Sequence, residues 1–182
     1  MYQELLGKIA LILKKAQIPY MVIGGQAVLV YGEPRMTRDI DITLDADIDT
    51  LDDILLALDN TAFRPLPLDV HQFATNTRVL PIQDDETKIR VDLIFSFSSY
   101  EHVAIGRSKV LNLNGIDVSF ASPEDLVIHK LVAGRPRDIE DCQSILLRQR
   151  GLDVHYIEKW LKEFELVVGS ELVSNFRSLL AH

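Results

Sequence analysis

The hydrophobic and polar positions of the chain follow helical and strand periods in turn, and the changes of period divide it into elements. Pro19 and Gly32 mark the ends of the first two helical runs, because neither residue favours continuation of a helix. The first third of the pattern predicts, in chain order, a helix over 2–16, a strand over 20–23, a short helix over 26–32, a strand over 39–44 and a helix over 49–60.

The middle of the chain is richer in strand patterns. Residues 83–86, with the sequence QDDE, form a hairpin connection, and Asn114-Gly115 predicts a two-residue primed turn. The pattern predicts an edge strand or extended loop over 63–68, strands over 77–82 and 87–95, a helix or turn over 99–106 and a hairpin over 109–120.

From Ser122 the pattern is helical to the end. Ser122 is the predicted helix cap, Pro123 takes the first helical position, and Asp125 completes a capping box. The sequence therefore predicts an α+β fold, with a small mixed sheet and flanking helices over 1–121 and a C-terminal helical part over 122–182.

Composition narrows the class of protein. With 182 residues, 47% hydrophobic and 25% charged, the chain has the profile of a soluble globular protein. No apolar run reaches the ~20 residues that span a bilayer. The first residues lack the basic region and cleavage site of a signal peptide. We therefore expect a cytoplasmic protein without membrane contacts.

Charge and cysteine content exclude further classes. The net charge of −8 argues against nonspecific coating of nucleic acid, although a nucleotide or a tRNA end could bind through a local basic patch. A single cysteine, Cys142, rules out an internal disulfide and a cysteine-based zinc site, and we expect a buried thiol there.

Two carboxylates share one face of the strand predicted over 39–44. Asp39 and Asp41 are two residues apart and point the same way, whereas Ile40 and Ile42 point to the other face. Such close carboxylates repel each other unless a divalent cation lies between them, and oxygen-only ligands favour Mg²⁺ or Mn²⁺. The alternative is a solvated strand end.

Asp92 is a third candidate ligand. It lies between Val91 and Leu93 in an otherwise apolar strand and points away from both. A polar residue there is costly unless it is paired, metal-bound or on a surface-facing side of the strand. If this strand neighbours the one over 39–44, three carboxylates converge.

A glycine pair follows the first predicted strand and opens a helix. Gly24 and Gly25 permit positive φ and close approach of a phosphate, and the helix N-terminus offers free N–H groups. The alternative is an ordinary tight turn. The pair is part of neither a GxGxxG dinucleotide motif nor a P-loop.

This combination resembles the nucleotidyltransferase superfamily of the DNA polymerase beta type. That pattern has an apolar residue, two small residues, about nine to thirteen further residues and a D-h-D strand, which "IGG" and "DIDI" match here at the long end. The preceding "TRD" also occurs in many small bacterial members.

A closer resemblance is to the abortive-infection nucleotidyltransferases, the AbiEii-like toxins. The segment Ser122–Leu146, "SPEDLVIHKLVAGRPRDIEDCQSIL", is similar to a helical motif of that group. By this match Lys130 corresponds to a functional lysine and Asp138 to a later aspartate, with Asp141 the less favoured equivalent.

The resemblance implies transfer of NMP from an NTP, such as ATP, to a hydroxyl, with two Mg²⁺ or Mn²⁺ ions. It also implies that residues 122–182 complete the nucleotide cleft. The implied roles are metal binding by Asp39, Asp41 and Asp92, proton acceptance from the acceptor by Asp92, phosphate binding by Gly24 and Gly25, phosphate neutralisation by Arg35, Arg38 and Lys130, and a catalytic contribution from Lys130 and Asp138.

The acceptor and partners stay open. The toxin resemblance implies an RNA acceptor such as tRNA, or a protein, together with a cognate toxin–antitoxin partner. One alternative is an aminoglycoside or lincosamide nucleotidyltransferase, which shares the same core motif, and an acidic protein suits a cationic aminoglycoside. A second alternative is a non-catalytic, antitoxin-like binding module with the same fold.

Overall fold

A computed structural model of the protein describes residues 1–96 and 98–181, which contain a seven-stranded mixed sheet and flanking helices. This confirms the predicted α+β class. The strands are β1 Tyr20–Ile23, β2 Asp39–Leu44, β3 Phe63–Pro65, β4 Val79–Asp84, β5 Arg90–Phe95, β6 Lys109–Leu113 and β7 Ile116–Phe120.

The strand order is β3-β4-β5-β2-β1-β7-β6. Strand β2 lies at the centre, parallel to β5 and antiparallel to β1. Strand β1 is in turn parallel to β7, and the remaining pairs are antiparallel.

Helices precede, interrupt and follow the sheet. A 3-10 turn, Ile48–Thr50, leads into the third of them. The α-helices are α1 Tyr2–Lys15, α2 Gly24–Tyr31, α3 Leu51–Leu58, α4 Val70–Thr77, α5 Ser99–Gly106, α6 Pro123–Ala133, α7 Pro136–Arg148, α8 Val154–Val168 and α9 Leu172–Leu180. Within the described residues, none of these helices is long and apolar enough to cross a membrane.

Turn chemistry places the ends of several elements where the sequence predicts them. Asn114 and Gly115 both have positive φ, +53° and +89°, which a primed hairpin turn requires. β3 lies at the sheet edge and ends on Pro65, whose missing N–H would break a central ladder. The buried thiol of Cys142 is also confirmed, and burial raises the pKa of Cys142 to about 12.

Two local predictions need correction. Helix α4 was not predicted, because its sequence VHQFATNT is mostly polar; the Asp69 carboxylate starts it by accepting from the Gln72 N–H. The capping box at α6 is incomplete. The Ser122 hydroxyl accepts from the Asp125 N–H at 3.1 Å, but the Asp125 carboxylate accepts from that hydroxyl rather than from the Ser122 backbone.

The two central strands bury one face completely. Ile40 and Ile42 of β2 and Val91 and Leu93 of β5 are at most 1% exposed. Burial of each such side chain stabilises the fold by about 1.5–3 kcal/mol. The opposite face of both strands therefore carries their polar residues.

A buried carboxylate joins α6 to α5 and α8. Asp125 is fully buried and accepts hydrogen bonds from Tyr156 at 2.7 Å, Tyr100 at 3.2 Å and Ser122 at 2.5 Å. The Arg107 guanidinium lies 3.5 Å from the same carboxylate and stacks over the Tyr156 ring. These contacts fix helix α6 against its neighbours.

Candidate active site

Three carboxylates lie together on the polar face of β2 and β5. In the parallel ladder Asp41 is directly opposite Asp92, and Asp39 is opposite Arg90. Directly opposite residues of a parallel pair point to the same face, and residues two apart on one strand do so as well. The predicted convergence of the three positions is therefore confirmed.

The crowding of these groups changes the titration of the central one. Burial, reinforced by the negative charges of Asp39 and Asp92, raises the pKa of Asp41 to about 6. Arg90 offsets part of the charge, because its Nε donates to Asp92 Oδ1 at 2.7 Å. This hydrogen bond turns the Asp92 carboxylate towards the guanidinium.

The donor set fits a hard divalent cation, although its side chains are not gathered around one. Among residues 1–96 and 98–181, no three His, Cys, Asp or Glu side chains form a group that could hold a metal ion as they stand. The nearby donors are nevertheless all carboxylate oxygens, which Mg²⁺ and Mn²⁺ prefer. The raised pKa of Asp41 indicates negative charge that a cation would neutralise.

The glycine pair lies against this acidic face because Ile23, the last residue of β1, is paired with Asp41. Gly24 has φ +62°, and a Cβ on it would overlap the Asp41 carboxylate. A Cβ on Gly25 would overlap the hydroxyl of Thr37. Both glycines are therefore required by close approach, and they place the N-terminus of α2 beside the carboxylates.

Helices α6 and α7 add a second charged cluster. Lys130 Nζ lies 2.7 Å from Asp138 Oδ1 and 3.0 Å from Asp141 Oδ2. Arg35 donates two hydrogen bonds to the Asp141 carboxylate, from Nε at 2.8 Å and from Nη2 at 2.9 Å. Burial by itself raises the pKa of Asp141, but the hydrogen bonds from Arg35 and Lys130 outweigh it and leave that pKa below its usual value.

The two clusters are electrostatically connected. The charge of Lys130 lowers the pKa of Asp41, although burial and the two neighbouring carboxylates dominate it. Hydrogen bonding to Asp141 is the main reason that the pKa of Arg35 is raised, and Asp39 adds to the effect. Arg38, also predicted at the site, is exposed and immediately precedes β2.

Two residues beside the carboxylates, Arg90 and Thr37, were not predicted from the sequence. Arg90 is two residues before Asp92 on the same strand, so the strand period alone could have placed both on one face. Thr37 donates to Asp39 Oδ1 at 3.3 Å. Asp141, ranked below Asp138 from the sequence, contacts both Arg35 and Lys130.

The fold and this polar face define the class of protein. Similar solved structures include an antigenic nucleotidyltransferase-like protein from Paracoccidioides brasiliensis, with a TM-score of 0.59 and 19% identity over 96% of this chain and 91% of that one. The antibiotic-resistance factor ANT(2'')-Ia matches with a TM-score of 0.59 and 15% identity, over 92% of this chain and 93% of that one.

A third match is the lincosamide antibiotic adenylyltransferase LnuA, with a TM-score of 0.50, 15% identity and coverage of 76% of this chain and 94% of that one. The chain belongs to the family described as "Nucleotidyltransferase of unknown function (DUF6036)", whose sequence profile matches residues 3–180. No curated protein matches the sequence. The superfamily resemblance is thereby confirmed.

Proposed function

We propose that the protein transfers a nucleoside monophosphate from an NTP to a hydroxyl group and releases pyrophosphate. The observation that carries the proposal is the position of Asp41, directly opposite Asp92, two residues from Asp39 and in contact with the Gly24 turn. Nucleotidyl transfer uses carboxylates together with backbone N–H groups that bind phosphate, and here the carboxylates are adjacent to the N-terminus of α2.

Each residue has a defined role in this reaction. The N–H groups that follow Gly24 and Gly25 bind the β- and γ-phosphates. Asp92 accepts the proton of the acceptor hydroxyl, whose oxygen bonds to the α-phosphorus while the bond to the bridging oxygen breaks and pyrophosphate leaves. Asp39, Asp41 and Asp92 would hold Mg²⁺ or Mn²⁺, which when bound neutralises charge on the attacking and leaving oxygens.

Cations of the chain balance the phosphates from two sides. Lys130 in α6 and Arg35 before β2 are both connected electrostatically to the carboxylates of β2. The exposed Arg38 is free to contact the triphosphate from the start of β2. In this proposal residues 1–121 form the catalytic core, and residues 122–182 close the cleft with Lys130, while Asp138 orients it.

The acceptor defines two versions of the proposal. ANT(2'')-Ia has been crystallised with adenylyl-2''-tobramycin and LnuA with lincomycin, which favours a small hydroxyl-bearing molecule. The net charge of −8 suits a cationic acceptor better than RNA. The resemblance to abortive-infection toxins favours tRNA or a protein, with a cognate partner and a cytoplasmic setting.

The decisive assay is incubation of the purified protein with each α-labelled NTP, Mg²⁺ and one acceptor pool at a time: aminoglycosides, lincosamides, total tRNA and cell extract. The proposal expects pyrophosphate release that depends on acceptor, and label in one pool. Asp92→Asn should abolish both, whereas Asp53→Asn, an exposed carboxylate on α3, should change neither.

Absence of pyrophosphate release with every NTP and pool would instead support the non-catalytic binding module. Nucleotide binding without turnover, measured by calorimetry with a nonhydrolysable NTP, would then identify its ligand.

A further inference from the structure

The chain segment that leads into the catalytic strand depends on contacts from another helix. Residues 32–38, hereafter loop 32–38, join α2 to β2, whose first residue is Asp39. The loop has no regular secondary structure, so its own backbone ladder does not fix its path. Its position nevertheless decides where Arg35, Thr37 and Asp39 lie.

Helix α7 supplies the contacts that fix this path. Asp141 binds Arg35 through both carboxylate oxygens, at 2.8 and 2.9 Å. One turn further along α7, Ser144 Oγ accepts from the Glu33 N–H at 3.2 Å. At its end, Gln149 Nε2 donates to the carbonyl oxygen of Tyr31 at 2.8 Å, just before the loop.

The Asp141 carboxylate is the contact that also reaches α6. It is 4% exposed and lies 3.0 Å from Lys130 Nζ. A buried charge of this kind requires all its partners, and a bidentate guanidinium pair fixes orientation as well as distance. Asp141 thus sets the separation between Arg35 of loop 32–38 and Lys130 of α6.

We infer that Asp141 is a positioning residue, which holds loop 32–38 and Lys130 in the arrangement that nucleotidyl transfer needs. The inference rests on the proposed function for its catalytic consequence. Its structural part concerns the loop alone and is independent of any substrate.

Amide hydrogen exchange of the protein without nucleotide or metal tests the structural part. Asp141→Asn should make the hydrogen-bonded amides of loop 32–38, those of Gly32 and Glu33, exchange about tenfold faster or more, because a buried charged hydrogen bond is lost, while β4 keeps its protection. The matched control Glu140→Gln removes one charge from the exposed face of the same helix and should match the wild type.

Arg35→Gln serves as a second variant if Asp141→Asn does not fold, since Arg35 is partly exposed. It should also accelerate exchange in loop 32–38, and the double variant should exchange no faster than Asp141→Asn alone. Unchanged loop exchange in the foldable variants would overturn the inference.

Kinetics with the NTP that the labelling assay identifies test the catalytic part. Asp141→Asn should raise KM for the NTP and lower kcat together, and Asp141→Glu, which keeps the charge, should recover part of both. If Asp141→Asn accelerates loop exchange but the wild-type protein itself shows no transferase activity, the proposed function is refuted and the positioning of the loop by Asp141 stands.

Discussion

Asp41 and Asp92 lie directly opposite each other on the parallel strands β2 and β5, although 50 residues of chain separate them. Two carboxylates at opposite positions on neighbouring strands repel each other, and a third, Asp39, is two residues from Asp41. Burial and these charges together raise the pKa of Asp41 to about 6. The site is therefore strained electrostatically in the absence of a cation.

Asp41→Asn should stabilise the metal-free protein while abolishing transfer. An unfolded Asp has a pKa of about 3.9, so the folded state binds the Asp41 proton more tightly between about pH 4 and 6. Stability consequently falls as pH rises through this window, and the cost is complete above it. The raised pKa of Asp41 corresponds to at most about 3 kcal/mol of destabilisation, which Asn relieves at pH 7 but not at pH 4.

Melting temperatures of wild type and variant in EDTA, measured from pH 4 to 8, check this. The two curves should converge near pH 4, separate between about pH 4 and 6, and stay apart above pH 6, with the variant higher. Saturating Mg²⁺ should raise the wild-type melting temperature, by linkage, and leave Asp41→Asn nearly unchanged. A variant that melts below the wild type at pH 7 in EDTA would contradict the account.

Gly24→Ala should inactivate the protein because Gly24 lies close to Asp41, and Gly169→Ala is the matched control. Gly24 and Gly169 both have positive φ, +62° and +68°, so alanine costs backbone energy of about 1 kcal/mol at either position. Only at Gly24 would the new Cβ overlap the Asp41 carboxylate. Gly169→Ala should lower stability slightly and keep full activity. Gly24→Ala should lower stability and also lose nucleotide binding. Equal nucleotide binding by the two variants would refute a requirement for the close approach of Gly24 to the Asp41 carboxylate.

Much of the fold is predictable because its signals are local. The Asn114-Gly115 turn, the alternation in β2 and the apolar run of β1 each depend on a few consecutive residues. Helix α4 was not predicted because its sequence is mostly polar, and its start depends on one side chain, Asp69. Propensity alone does not capture such capping.

The site is less predictable because its geometry depends on distant pairing. The period of two placed Asp39 and Asp41 on one face, but only the parallel pairing of β2 with β5 brings Asp92 beside them. The family pattern predicted Lys130 and Asp138, whereas the contact of Asp141 with Arg35 depends on where loop 32–38 packs. Sequence spacing contains no such information.

Asp125→Ala should be among the most destabilising substitutions in the C-terminal helices. It removes a fully buried acceptor and leaves two tyrosine hydroxyls and the Arg107 guanidinium without it. Breaking a buried charged network costs about 3–5 kcal/mol. Urea denaturation measures the free energy of unfolding and should show this loss for Asp125→Ala. The loss should be about 1–2 kcal/mol for Tyr156→Phe and absent for the exposed Glu163→Ala. Equal stability of all three variants would exclude a structural role for the network.

Lys130→Met should weaken both the fold and NTP binding, and separate measurements of stability and of binding distinguish the two effects. Methionine keeps most of the buried stem, but it leaves the carboxylates of Asp138 and Asp141 without the ammonium that lies 2.7 and 3.0 Å from them. Because two buried carboxylates then lack this cation, the variant should be less stable than the wild type at pH 7. Binding of a nonhydrolysable NTP to the folded variant at pH 7 should weaken tenfold or more, on the order of one lost charged hydrogen bond.

Lys162→Met, which replaces an exposed lysine on α8, controls for loss of charge. A Lys130→Met protein that is destabilised but binds NTP with wild-type affinity would confine Lys130 to the structural cluster and remove it from the phosphate site.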